Sequence, residues 1–270
     1  MAIFIVLLIY AMIEPFLLTY SYNEIRIPNA TFSPFTAVHI GDVHLQWPYP
    51  YVTEKSMMKV VENINKLNPD IVFITGDLIS RFRTYNISLK GTNSISRILS
   101  QIKSRNGIYA VLGNTDLHAK DLVIQALLRS GVHLLRQETI TIGDLIISGI
   151  DPSKNISMAD TNLHKLPPID TTNKGLRILL SHQPDVALVS FDKGFHLQLS
   201  GHTHGGQCTV PFGLGPVLLP SMGKMFPVGL YKVKDMLLYV TKGIGISPLP
   251  KPLVRFNTRP EVSILHIVPE

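Results

Sequence analysis

The chain has one cysteine and one tryptophan in 270 residues, and only 16% of its residues are charged. A single thiol, Cys208, excludes an intrachain disulfide and any metal cage built from thiolates. Sparse charge together with 45% hydrophobic residues excludes a disordered chain. The 25 Lys and Arg outnumber the 19 Asp and Glu, for a net charge of +6, but they form no basic run. Nucleic acid is therefore not an expected partner, whereas phosphorylated or otherwise anionic ligands suit the surplus. No apolar run reaches the roughly 18 to 20 residues that a spanning helix needs. The longest, MAIFIVLLIYAMI, stops at Glu14-Pro15 and has neither the basic flank nor a clear cleavage site of a signal peptide. Its uniformly apolar start favours a short anchor over residues 1–22, extended by FLLTY, and hence a membrane-associated protein. The alternative is a cytoplasmic protein whose first element packs on the core. Residues 23–270 read as one domain, because no linker, repeat or low-complexity stretch divides them.

Beyond residue 30 a rhythm is present. Short apolar, β-rich runs (FTAVHI, DIVFI, IYAVL, RILL and FHLQL) are each followed by a polar cluster. Helical spacing fills the gaps at Thr53 to Leu67, Ser94 to Lys103 and Lys120 to Arg129, each closed by an Asn-Pro, Asn-Gly or Gly signal. This alternation predicts an α/β sandwich. Thr139 to Ile150 reads as a hairpin turning at Gly143-Asp144, and VGLYKV and MLLYV read as a second pair around Lys234-Asp235.

The polar residues that follow the runs carry the chemistry. HIGDVH puts Asp42 and His44 after the first run, and FITGD puts Asp77 after the second. VLGNTD puts Asn114, Thr115 and Asp116 after the third, ILLSHQ puts His182 after the fourth, and LQLSGHTH puts His202 and His204 after the fifth. Strand ends of an α/β sheet share one edge, where ligands bind. Asp-x-His and His-x-His place alternate residues on one face of an extended segment. Such crowding of carboxylates and imidazoles calls for metal or mutual pairing. Asp42, His44, Asp77, Asn114, His182, His202 and His204 make seven ligands, more than one ion needs; with Asp77 bridging, each of two divalent ions receives four. Oxygen and imidazole donors without thiolate suit Mn, Fe, Zn or Ni. Two such ions, about 3.5 to 4 Å apart, clamp a phosphoryl group and activate water, so the expected substrate is a phosphate ester.

GDVH, GD, GNTD, SHQPD and GHTHGGQ, in this order across residues 35–207, resemble the five motifs of the calcineurin-like metallophosphoesterases. LYVTKGIG and RFNTRPEV further resemble the branch holding membrane-associated bacterial phosphodiesterases and UDP-diacylglucosamine pyrophosphatases. The resemblance implies a four-layer αββα sandwich. It also implies one metal on Asp42, His44, Asp77 and His204, and another on Asp77, Asn114, His182 and His202.

One position departs from the family. Its third motif is Gly-Asn-His followed by an acid, and that histidine faces the substrate phosphate; here it is Thr115. A threonine hydroxyl donates one hydrogen bond but is no general acid near neutral pH. Three readings follow. The substrate, a lipid-linked or nucleotide-sugar ester such as UDP-2,3-diacylglucosamine, has a leaving group that needs no proton; or His118 supplies the acid; or the protein is a low-activity, metal-stabilised binding module. Asp116 is expected to cap the helix that follows. Arg81 and Arg83 are expected either to meet a substrate phosphate or to lie in a solvated loop. PVLLPSMGKMFPVG is expected to pack on the sheet, or else to receive an acyl chain. His39, His196 and His266 read as core or sheet-face residues.

Overall fold

The computed structural model describes residues 2–45, 51–80, 85–170, 172–210, 215–216, 219–247 and 254–270. The helices are α1 (Ala2–Ile13), α2 (Glu54–Leu67), α3 (Tyr85–Leu99), α4 (Lys120–Arg129), α5 (Ile156–Leu163) and the short α6 (Ala187–Ser190). The early strands are β1 (Thr19–Ile27), β2 (Phe35–Ile40), β3 (Ile71–Ile74), β4 (Ile108–Ala110) and β5 (His133–Leu134). Next come β6 (Glu138–Ile142), β7 (Leu145–Gly149), β8 (Leu176–Leu180) and β9 (Leu197–Ser200). A two-stranded ladder of β10 (Thr209–Val210) and β11 (Gly215–Pro216) precedes β12 (Gly229–Val233), β13 (Met236–Val240) and β14 (Glu261–Pro269).

Two six-stranded sheets, ordered β1-β14-β2-β3-β4-β5 and β12-β13-β9-β8-β7-β6, face each other. Period-two burial explains the layering. Along β2 and β3, Ala37, Ile71 and Phe73 enter the core between the sheets, with Ile147, Ile178 and Leu199 opposite. The alternate residues Val38, Ile40, Val72 and Ile74 pack on Val60, Ile64, Ile98 and Leu127 of α2, α3 and α4. On the far side, Leu179, Leu238 and Val240 meet Ala159, Leu163 and Ala187 of α5 and α6. The result is the expected αββα sandwich. Strands β2, β3 and β4 run parallel to one another, as do β7, β8 and β9, so their C-terminal ends gather at the rims of two stacked sheets.

Both hairpins form as expected, with Lys234 at φ 56° in the second turn. Helix α3 differs, since it starts at Tyr85 and stops at Leu99 rather than spanning Ser94 to Lys103. Poor helix formers at Gly91 and Thr92 hide its first half. Tertiary contacts hold it: Thr92 is buried and back-bonds to the Ser88 carbonyl, and Ser94 donates to Glu54 of α2 at 2.7 Å. Strand β1 is not anticipated at all, because its buried positions are confined to Ile25 and Ile27 and its partner β14 lies at the other end of the chain. It crosses residue 22, where the sequence places the border between anchor and domain.

The N-terminal expectation is corrected. Helix α1 has 12 residues and rises about 18 Å, against roughly 30 Å of hydrocarbon. FLLTY does not extend it, because Glu14, Pro15 and Phe16 form a single 3-10 turn and the chain enters β1 at Thr19. Among the described residues no helix is long and apolar enough to cross a membrane. Membrane association through an apolar segment is therefore unsupported. Packing on the core is not seen either: Phe4 to Ile9, Met12 and Ile13 are exposed, and the attachment is made at Ala11 and Glu14, both buried.

Candidate metal centre

All seven residues expected as metal ligands meet where the two sheets abut. Asp42 and His44 follow β2, Asp77 follows β3 and Asn114 follows β4, while His182 follows β8 and His202 and His204 follow β9. His44 Nε2 is 3.2 Å from His204 Nε2, and His204 Nε2 is 3.7 Å from Asp42 Oδ1. His182 Nε2 is 3.0 Å from both Asn114 Oδ1 and His202 Nδ1. Between the groups stands Asp77, whose Oδ2 is 3.5 Å from His44 Nε2 and 3.5 Å from His182 Nε2. Two sets of donor atoms are close enough to share an ion, namely Asp42, His44 and His204, and Asp42, Asp77 and His182. Asp42, His44, Asp77, His182 and His204 are buried, whereas Asn114 and His202 are partly exposed and mark the mouth.

The backbone is forced into this arrangement. Asp42, His44, Asp77, His202 and His204 have φ between 46° and 73°. The left-handed region costs non-glycine residues on the order of 1–3 kcal/mol each, and such strain gathers where function needs it. Ring tautomers are set from behind. His182 Nδ1 donates to the Thr75 carbonyl at 2.7 Å, which couples the two sheets and leaves Nε2 facing inward. His202 uses the opposite edge, with Nε2 donating to the Ser221 carbonyl at 2.8 Å and Nδ1 facing inward.

Electrostatics agrees with a cation-binding role. Burial lowers His44 and His202 to about 4 and takes His204 well below its usual range, the last helped by the charges of His44 and Arg255. Burial thus favours the neutral form of these rings, and the Nε2 atoms of His44 and His204 lie 3.2 Å apart. Burial also disfavours charge on His182, but Asp77 and Asp42 overcome it and raise that ring to about 9. Burial pushes Asp42 up to about 7, with Asp77 adding to the effect. Against its own burial, Asp77 is held well below the usual carboxylate range by His182, His44 and the Thr115 N–H. Neutral imidazoles and two buried carboxylates aimed at one space fit divalent metal ions.

The third motif serves Asp77 rather than a substrate. Asp116 does not cap α4, which starts at Lys120 without a side-chain cap. It is instead fully buried and accepts from the N–H groups of Asp77, Leu78, Ile79 and Gly113 at 2.8 to 3.3 Å. Thr115 donates its N–H to Asp77 Oδ1 and its hydroxyl to the Ile79 carbonyl, both at 2.8 Å. That hydroxyl is spent inside the loop. His118 is exposed, with Nδ1 donating to the Thr115 carbonyl at 3.1 Å. Gly113 is needed for want of a side chain and not for a left-handed turn, since a Cβ there would lie 2.1 Å from Asp77 Oδ1.

The other expectations divide. His39 is buried between the sheets, His196 packs beside Arg177, and His266 is exposed on β14. Met222 and Phe226 pack on the outer face of the second sheet, as the packing reading of their segment requires. Arg81 and Arg83 lie outside the described residues. Arg255 and Glu14 escape site reasoning from sequence, because a lone arginine in a Gly- and Pro-rich stretch and an acid beside an apolar run carry no ligand spacing. Their placement in RFNTRPEV and Glu-Pro is the one available signal.

A model of the calcineurin-like phosphoesterases matches residues 35–206, which is more than half of the chain. The chain belongs to the calcineurin-like phosphoesterase family. It is accordingly a metal-dependent hydrolase of phosphoric esters. The Bacillus subtilis metallophosphoesterase YkuE is 29% identical over 94% of this chain and 87% of its own. The Escherichia coli phosphodiesterase YaeI is 26% identical over 87% of this chain and 83% of its own. The Haemophilus influenzae NAD nucleotidase NadN shares the fold, with a TM-score of 0.52 at 13% identity, covering 82% of this chain and 49% of that one.

Three outcomes are expected of the phosphoesterase. His182, raised above its ordinary 6.5, contributes stability to the metal-free protein that is complete below pH 6.5 and lost as pH rises through about 9. The melting temperature of the metal-free protein should therefore fall across this window. Mn uptake at pH 7 should release protons, seen calorimetrically in buffers of different ionisation enthalpy, and should tighten toward pH 9. Gly113→Ala should displace Asp77 and weaken metal retention by roughly tenfold or more, measured as metal content after dialysis.

Proposed function

We propose that the chain is a two-metal phosphodiesterase or pyrophosphatase in which Asp42, His44, Asp77 and His204 hold one divalent ion and Asp77, Asn114, His182 and His202 the other. The observation that carries this reading is Asp77 Oδ2, at 3.5 Å from an imidazole nitrogen of each group. Carboxylate, amide and imidazole donors without thiolate favour Mn, Fe, Zn or Ni. Such a pair, when bound, polarises phosphoryl oxygens and supplies a nucleophile at neutral pH. The chain's own residues gather the charge, and the Thr75 and Ser221 carbonyls hold His182 and His202 in tautomers whose other nitrogen faces inward. Asn114 and His202, the partly exposed members, flank the side open to a substrate.

Among the described residues this machinery has no free proton donor in its third motif. The Thr115 hydroxyl is committed to Ile79, and the His118 ring is tied at the exposed rim. A general acid is worth about 10² to 10⁴ in rate when the leaving group is basic, and little when it departs as a stable anion. The site thus suits a phosphodiester with a good leaving group or a pyrophosphate whose leaving half is a nucleotide. UDP-2,3-diacylglucosamine, a lipid-linked nucleotide sugar, is the sharpest such candidate, on the sequence likeness to that branch; the name of YaeI, a phosphodiesterase, supports the diester alternative. The same missing donor motivates a second reading, a low-activity metal-stabilised binding module.

The deciding experiment compares p-nitrophenyl phosphate, a series of aryl phosphodiesters and UDP-sugar pyrophosphates on the Mn-loaded protein. Diesters and pyrophosphates should exceed the monoester, the rate should fall steeply as leaving-group pKa rises, and His118→Ala should stay within about twofold of the parent. Faster monoester turnover, or a rate indifferent to leaving-group pKa, would sink the reading. Two bound ions with no hydrolysis above a His204→Ala control would establish the binding module.

A further inference from the structure

We propose that Glu14 and Arg255 form a two-part clamp that sets the Asp42 and His204 half of the metal centre, which makes both of them positioning residues for metal binding. The inference rests on the two-metal reading above and adds residues that neither the motif pattern nor the ligand spacing includes.

Arg255 is fully buried, and among the described residues it forms no direct ion pair. A buried guanidinium has to be satisfied by other means, and here backbone carbonyls do it. Nη2 donates to Lys242 at 2.8 Å and to Gly245 at 2.5 Å, Nε donates to Gly245 at 3.1 Å, and Nη1 donates to Thr258 at 2.9 Å. The same group touches His204, with Nη2 at 3.2 Å from Nδ1 and Nη1 at 3.5 Å from the carbonyl. One planar group therefore joins the loop after β13 to the loop after β9.

The first of these loops is the wall behind Asp42. Gly245 N–H donates to the Asp42 carbonyl at 2.7 Å, Ile244 N–H donates to Gly41 at 3.2 Å, and a Cβ at Gly243 would lie 2.5 Å from Asp42 Cβ. The second loop carries His204 itself. Asp42 and His204 are thus held at their 3.7 Å separation through backbone that Arg255 ties together.

Glu14 holds the strap that carries Arg255. It is fully buried, and its carboxylate accepts from Asn257 N–H at 2.7 Å and Thr258 N–H at 2.5 Å, which closes the turn just after the arginine. Arg255 N–H donates to Ala11 at 3.2 Å, and Tyr10 packs edge-on against Phe256. The joint between α1 and β1 is in this way wedged against the metal centre. The clamp bears directly on one half of that centre, and the other half meets it at the His202 N–H, which donates to the Asp42 carboxylate at 2.9 and 3.0 Å. His182 and His202 are oriented by Thr75 and Ser221, which Arg255 does not contact.

This one-sidedness sets the test. The metal-free full-length protein and its Glu14→Gln, Glu14→Asp and Arg255→Lys variants are titrated with Mn by calorimetry, and Co-loaded samples are followed by visible absorption. The parent should take up two ions. Glu14→Gln offers one carbonyl oxygen where two N–H groups need a carboxylate, so it should bind one ion as the parent does and the other roughly 10- to 100-fold more weakly. Its metal-free melting temperature should stay within a few degrees of the parent, and the Co spectrum should lose one of two components. Arg255→Lys should show the same selective loss, and Glu14→Asp should restore most of it. Parent affinity for both ions in a folded Glu14→Gln protein overturns the clamp, as does equal weakening of both ions or unfolding of the metal-free variant. A parent that binds fewer than two ions overturns instead the two-metal reading itself.

Discussion

A single carboxylate, that of Asp77, is the constraint on which the centre depends. It stands buried between two pairs of imidazoles and serves both. A charge in that position is costly unless its surroundings are arranged in advance. The arrangement comes mainly from the third motif: the Thr115 N–H on Oδ1, the Asp116 carboxylate on the Asp77 N–H, and a glycine at 113 that leaves the carboxylate its space. Thr115, at the position where the family's histidine faces the substrate, and Asp116, expected as a helix cap, are in the fold a cradle for the Asp77 loop. Thr115 keeps the cradling role through its backbone and offers no proton donor through its side chain.

The two-sheet architecture gives this carboxylate its partners. Each sheet carries part of the proposed ligand set, and neither part is complete alone. Asp42, His44, Asp77 and Asn114 come from the first sheet, and His182, His202 and His204 come from the second. Facing apolar sides hold the sheets in register, with Phe73, Ile147, Ile178 and Leu199 among the side chains between them. The hydrogen bond from His182 to Thr75 ties them directly at the site. The strain of several left-handed ligand residues is tolerated because the packed strands beneath leave the loops no cheaper conformation.

The ends of the chain join the same structure. Strands β1 and β14 pair in parallel over nine residues, and the Glu14 carboxylate closes the turn between Arg255 and β14 by accepting from the Asn257 and Thr258 N–H groups. The N-terminal segment is consequently part of the domain's framework from Ala11 onward, while the apolar helix before it stays exposed.

Much of this was legible in the sequence. Period-two apolar runs broken by Gly-Asp, Gly-Asn and Gly-His announced the strands and the rim on which ligands gather, because strand periodicity and loop chemistry are local properties. The resemblance of five ordered motifs added the layer order. Other features were not local. β1 became a strand because β14 was there to pair with it, and α3 extended over Gly91 because α2 and the sheet held it. The side-chain directions of Asp116, Thr115 and Arg255 followed from backbone groups brought close by folding. Sequence by itself determined which chemical groups stand at the strand ends. Tertiary structure alone decided which of them face the metal space and which are spent on holding the others there, since a hydrogen bond is assigned by the partner within reach, and reach is set by packing.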